Sequence, residues 1–174
     1  MSDAMKTLRS HLRGQWFEAA RDFQTLWNPS TEAPLARASS TGADLPGALS
    51  WARERGGPAL RALSFAQRGE ILKALGKRFR EHREELLALS STNNGTTATD
   101  GAFDIDGAGG ALAYYGGLGL ALGGRRVLPD GEGSPLGKSE NFWAGHALVP
   151  RQGVAIHINA FNFPSWGLWE KAAV

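Results

Sequence analysis

A side-chain amide at the carboxyl end of a strand can donate hydrogen bonds to an oxygen that is gaining negative charge. This chain carries such an arrangement close to its last residue. Val154 to Ile158 reads as a short, mostly apolar strand, Asn162-Phe163-Pro164 as a sharp turn, and Ser165 onward as the start of an amphipathic helix. Ligands of α/β sheets collect where strands end, so exposed backbone groups and the Asn162 amide meet at one place. When a nucleophile adds to a carbonyl, a pre-aimed N–H stabilises the resulting oxyanion by about 3–4 kcal/mol. The competing job for Asn162 is to cap the helix beginning near Pro164, and from the tripeptide alone capping is the more frequent use. Trp166 and Trp169, three apart, share a helix face and serve either the core or the wall of a substrate tunnel. His157 alternates with its strand neighbours and reads as a satisfied structural histidine rather than a base.

The elements that must hold this turn are legible upstream. Leu12-Arg-Gly-Gln-Trp16 and Phe23-Gln-Thr-Leu-Trp27 read as an opening hairpin with two core tryptophans, and Leu35 to Ser39 as one more strand. A first helix is expected over Asp44 to Arg55, ended by Gly56-Gly57-Pro58. Ser64-Phe-Ala-Gln67 is a capping box opening a second helix, with Ile71, Leu72, Leu75 and Phe79 as its apolar stripe. Past His82 the pattern resumes with Leu86, Leu87 and Leu89 and closes at Asn93-Asn94-Gly95. Thr99 to Leu122 is a third long helix despite Gly107, Gly109, Gly110, Gly116, Gly117 and Gly119. Each interior glycine costs about 0.5–1 kcal/mol relative to alanine, so that helix must rely on close packing. Its glycine spacing fits neither phosphate-binding motif. Pro129 to Ser139 reads as an exposed loop and Phe142 to Val149 as a strand.

Composition narrows the function classes. The 174 residues suffice for a domain with its own core. Net charge is +2, with lysines and arginines scattered on solvated helix faces, so no nucleic-acid partner is expected. Zero cysteines excludes a disulfide framework and cysteine-based metal sites, and no metal is assigned. No apolar stretch approaches the ~20 residues of a membrane span, so no membrane partner is expected. The opening Met1-Ser-Asp-Ala-Met-Lys6 lacks the apolar core of a secretory signal, which makes the cytoplasm the expected location.

The run Ile158-Asn-Ala-Phe-Asn-Phe-Pro164, followed by Trp166-Gly167, resembles the aldehyde dehydrogenase superfamily. It is most similar to the branch that oxidises CoA-linked semialdehydes formed when benzoyl-CoA or phenylacetyl-CoA rings are opened. Gly14-Gln-Trp16 followed by Asn28-Pro-Ser-Thr-Glu32 is similar to how many family members begin. The resemblance implies an α/β fold, of which this chain would be the amino-terminal part: entry β-hairpin, helical layer, bridging arm, and first strand–turn–helix of the cofactor domain. It divides the chain into residues 1–127, the first part of the cofactor-binding domain, residues 128–150, a loop and oligomerisation arm, and residues 151–174, the strand–turn–helix. The catalytic domain is absent.

The same resemblance assigns roles. Asn162 is the oxyanion donor, and Lys171 is the helix lysine near the active site, although a solvated helix lysine reads equally well. Ile158, Asn159, Ala160 and Phe161 line the nicotinamide end of NADP or NAD, with NADP favoured. Where many members carry Pro-Trp, this chain has Ala160-Phe161. The partners implied are a small-molecule aldehyde, CoA-linked by the resemblance, and further copies of the full-length enzyme as a homo-oligomer. The family uses a cysteine thiolate, which adds to the aldehyde before hydride leaves, and a downstream glutamate base. Neither position exists here. The main expectation is the front part of an NAD(P)-dependent aldehyde dehydrogenase that oxidises a semialdehyde. The alternatives are a catalytically dead remnant or interaction protein pairing through its arm strand, and a small helical binding module.

Overall fold

A Ser64 hydroxyl and a Gln67 side chain open the longest-lived signal of the sequence, and the computed structural model forms that motif in full. The Gln67 N–H donates to Ser64 Oγ at 3.2 Å and the Ser64 N–H to Gln67 Oε1 at 2.8 Å. The structure describes residues 5–174, so Met1 to Ala4, most of the stretch read for a leader, lie outside it.

Seven strands and six α-helices follow one another among the described residues. β1 (Lys6–Thr7) pairs parallel to β5 (Pro34–Ala38), which pairs antiparallel to β4 (Gln24–Trp27). β2 (Ser10–Leu12) and β3 (Gln15–Phe17) form a separate hairpin. This corrects the expected pairing of Leu12–Trp16 with Phe23–Trp27. Arg13 and Gly14 both take positive φ, 53° and 81°, a two-residue hairpin turn that folds the first run back on itself. Trp16 and Trp27 are exposed rather than core.

α1 (Leu45–Trp51) does not end at the glycine pair as expected. It widens into a π turn, Ala52–Gly56, and continues as α2 (Gly57–Ala62). Pro58 falls where the π turn passes into α2; it cannot donate to the preceding turn, and the wider turn makes room for its ring. α3 (Phe65–Glu81) meets α4 (Arg83–Asn94) at His82, and Gly95, with φ 70°, closes α4. α5 (Ala98–Leu122) is capped by the Thr97 hydroxyl.

The core sits along α5, where Ile105, Ala108 and Leu112 are buried. Its glycines let α3 come close. A Cβ on Gly119 would lie 2.7 Å from the Phe65 carbonyl oxygen and 2.9 Å from Gly69 Cα. The reading of this glycine stretch as a closely packed helix holds.

β6 (Leu128–Pro135) and β7 (Trp143–Leu148) form an antiparallel ribbon. The Gly/Pro-rich stretch expected as a loop is therefore largely strand. A two-stranded ribbon consists only of edges, where proline and a bulge, here between Asp130 and Ser134, are tolerated. Val154–Ile158 belongs to no helix and makes no strand ladder. The expected strand is corrected to that extent, because no neighbouring strand among the described residues lies beside it. α6 (Pro164–Ala172) closes the chain against α5. No helix of the described residues is long and apolar enough to cross a membrane.

Candidate functional site

α6 begins at Phe163, which supplies no side-chain cap. The cap comes from across the molecule. Asp104 of α5, 1% exposed, accepts the Trp166 N–H on Oδ1 at 2.8 Å and the Ser165 N–H on Oδ2 at 3.2 Å. Two of the helix's orphan donors are thus satisfied by a buried carboxylate, placed where the helix dipole favours negative charge. Asn162 is exposed, and its side chain makes no hydrogen bond among the described residues. The capping alternative for Asn162 is set aside by this geometry.

Lys171 Nζ donates to the Gly167 carbonyl oxygen at 2.8 Å and to Asn159 Oδ1 at 3.4 Å. The structure therefore brings Lys171, from the last turn of α6, and Asn159 together. Ile158 and Phe161 are 88% and 80% exposed, and Ala160 is exposed beside them. His157 is also exposed and has no hydrogen-bond partner among the described residues, which corrects its reading as a satisfied structural histidine. Val154 to Ile158, with no sheet around them, are all exposed. Trp166 and Trp169 are packing residues. Trp166 lies edge-on to Phe103 at 5.0 Å and covers Gly107, where a Cβ would meet its ring at 2.8 Å. Trp169 meets Phe79 edge-on at 6.0 Å.

Two acidic residues of α5 escaped the sequence reading. Asp104 is one. Asp106 is the other: it accepts Arg83 Nε and Nη2, both at 2.8 Å, a bidentate pair bridging α4 and α5. The Arg83 hydrogen bonds hold the Asp106 carboxyl below its ordinary value, and Arg83 itself is raised, chiefly by its bond to Asp106. The signal in the sequence was Phe103-Asp-Ile-Asp106, two carboxylates beyond the first turn of a largely apolar, glycine-rich helix. An apolar cavity of about 460 Å³ opens beside the turn, with Leu26, Leu35, Leu86, Leu89, Ile105 and Pro164 among its walls. No group of three or more His, Cys, Asp or Glu among the described residues is placed to hold a metal.

An α/β chain ending in this turn and helix falls into a known class. Residues 16–174 match the aldehyde dehydrogenase family, and the chain belongs to it. It is 43% identical over 166 residues to the 3,4-dehydroadipyl-CoA semialdehyde dehydrogenase of Aromatoleum evansii, covering 95% of this chain and 32% of that enzyme. It is 31% identical to an aldehyde dehydrogenase of Aspergillus niger, over 75% of this chain and 26% of that protein. The chain thus spans about a third or less of the length of these curated relatives. A solved lactaldehyde dehydrogenase superposes with a TM-score of 0.62 at 20% identity, covering 79% of this chain and 27% of that one. A betaine aldehyde dehydrogenase from Staphylococcus aureus, solved in complex with NAD+, gives 0.57 at 23% identity over 63% of this chain and 22% of its own. Both likenesses establish the fold.

The chain belongs to the aldehyde dehydrogenase family, yet its 174 residues hold no cysteine. The expectation that it serves as the front part of a working semialdehyde oxidase is corrected on that ground. Thiolate addition to the aldehyde has no nucleophile among these residues.

Proposed function

We propose that these 174 residues act as a non-catalytic unit of the aldehyde dehydrogenase fold, which pairs through its arm ribbon with a cysteine-bearing subunit of the same family. The observation that carries this reading is the exposure of the arm. All six residues of β7 are exposed, and Phe142, Trp143, Leu148 and Val149 present large apolar side chains to water. An isolated two-stranded ribbon is marginal in water, and an exposed apolar edge invites a third strand. The missing thiol supports the non-catalytic half of the reading.

On this reading residues 128–150 are the arm, residues 1–127 its support, and residues 151–174 a ligand-facing turn that binds without turning over. Ile158 to Phe161 meet the nicotinamide end of a dinucleotide, with NADP favoured over NAD by likeness to the CoA-semialdehyde branch. Asn162 donates to the carbonyl oxygen of an aldehyde, CoA-linked by the same likeness. Lys171 steadies the turn through Asn159. The location is the cytoplasm.

Mixing the purified chain with the Aromatoleum enzyme and measuring mass by light scattering tests the pairing. A mixed oligomer is expected, lost when Trp143 and Leu148 are both replaced by lysine. A chain that elutes alone with or without the enzyme refutes the reading. The chain by itself should form no NADPH from any CoA-linked semialdehyde.

A further inference from the structure

Asp104 is buried to 1% exposure in a largely apolar helix, and both of its oxygens are directed at one target. A buried carboxylate is costly unless its hydrogen bonds are made. The Ser165 and Trp166 amides of α6 make them, at 3.2 and 2.8 Å. The neighbouring ring grips the same stretch: Phe103 lies edge-on to Phe163 at 6.3 Å and to Trp166 at 5.0 Å. One turn further along α5, Gly107 receives the Trp166 ring so closely that a Cβ there would lie 2.8 Å from it. Phe163, Ser165 and Trp166 are thus each held by α5, and Asn162 immediately precedes them.

The chain on the other side of Asn162 is tied to α6 as well. Lys171 Nζ joins the Gly167 carbonyl oxygen to Asn159 Oδ1 at 2.8 and 3.4 Å. Ala160, Phe161 and Asn162 lie between these two fastenings, and their own side chains are exposed. The course of the turn is therefore set from α6 and, through α6, from α5. A capping side chain within the turn would satisfy the same amides but would move with the turn. A carboxylate on α5, which packs against α3 backbone to backbone at Gly119 and Gly69, refers the turn to the core instead. The Asp104 contacts join two helices inside the chain and do not depend on what covers the outer face of the turn.

We infer, building on the ligand-facing reading of the turn, that Asp104 is a positioning residue for dinucleotide binding. By fixing the first amides of α6 to α5, it sets the course of Ala160–Asn162 and so the fit of the turn to the nicotinamide end of the ligand. Without the carboxylate the turn takes several courses, of which a fraction is competent, and the apparent Kd rises as the inverse of that fraction. The coupling is reciprocal: a ligand that prefers the fixed turn holds α6 on α5 by the same factor.

The test compares the whole ¹⁵N-labelled chain with Asp104→Ala, Asp104→Asn and Gly117→Ala, by backbone relaxation and by titration with NADP+. The order parameters of Phe161 and Asn162 should lie near the rigid value of ~0.85 in the native chain and fall below ~0.6 in Asp104→Ala. NADP+ binding, followed at the Ala160 and Phe161 amides, should weaken about tenfold in Asp104→Ala, the result of a competent fraction near one tenth. Asp104→Asn, which keeps one acceptor, should fall between on both readouts, and it carries the comparison if the alanine variant does not fold. Gly117→Ala, a change on the same helix with nothing within 4 Å, should match the native chain. Saturating NADP+ should slow exchange of the native Trp166 amide by a factor like that lost in Asp104→Ala. A carboxylate that serves α6 alone would speed Trp166 exchange when removed, yet leave the order of Asn162 and the NADP+ titration as in the native chain; that result overturns the inference. If NADP+ moves no resonance of residues 158–162 in the native chain, the ligand-facing reading fails by itself. The order of Asn162 in the two Asp104 variants then decides whether the carboxylate positions the turn.

Discussion

Replacing Asp104 by alanine removes the only side-chain cap of α6 among the described residues. In the native fold its two oxygens take the Ser165 and Trp166 amides at 3.2 and 2.8 Å. A hydrogen bond to a charged group contributes about 1.5–3 kcal/mol, so two of them at the low end give a loss of about 3 kcal/mol. Phe163 supplies no side-chain replacement, and the position is buried, so water is poorly placed to compensate. The loss should concentrate on α6, which is held otherwise by Trp166 against Phe103 and Trp169 against Phe79. Hydrogen exchange of the Trp166 amide should accelerate roughly a hundredfold, since about 1.4 kcal/mol corresponds to a factor of ten. Exchange in α3, away from the contact, should change far less. Asp104→Asn keeps one acceptor and should fall between the two. If the Trp166 amide exchanges within about threefold of its native rate in Asp104→Ala, the carboxylate is not the cap, and Asn162 regains the capping role.

Two further predictions rest on packing and on charge. Gly119→Ala should destabilise the chain by about 1–3 kcal/mol, because its Cβ would meet backbone atoms at 2.7–2.9 Å that cannot move aside. Gly117→Ala on the same helix, with nothing within 4 Å, should stabilise by about 0.5–1 kcal/mol; denaturant midpoints of the two variants should move in opposite directions. Asp106 is held below its ordinary value of 3.8 by Arg83, so its contribution is complete above that pH and is lost as pH falls through the lower folded value. Thermal melts of Asp106→Asn should therefore approach those of the native chain as the solution is acidified past that range, and a gap that persists unchanged there would refute the pairing.

What the sequence disclosed was local chemistry, and what it concealed was chemistry between distant segments. Ser64 and Gln67 need only each other, and Gly95 only its own φ of 70°, so both helix ends were legible. Gly116 and Gly119 declared a helix that must be approached closely, although not that Gly69 and Phe65 would do the approaching. The arm misled because proline and glycine argue against a central strand, whereas β6 is an edge from end to end. Gly14 permitted a tight turn one residue after Leu12, and the apolar pattern on either side did not exclude it. The segment Val154–Ile158 carried a strand pattern, but a strand is a relation between two segments, and none of the described residues pairs with it.

The cap on α6 decides how the turn is to be read. A residue at the start of a helix can satisfy the first amides or face a ligand, and one short side chain does not do both. Here a carboxylate from α5, 61 and 62 residues away in sequence, takes the first duty. That supports the proposal that Asn162 is kept for a ligand, because its amide remains without a protein partner among the described residues. The same arrangement also fixes the turn against the helix layer. Asp104, Trp166 and Gly107 lock α6 to α5 through contacts that need nothing from an active site. Asn162→Ala should accordingly leave stability unchanged while weakening whatever ligand the turn still holds. A loss of stability in that variant comparable to the loss in Asp104→Ala would place Asn162 back among the structural residues.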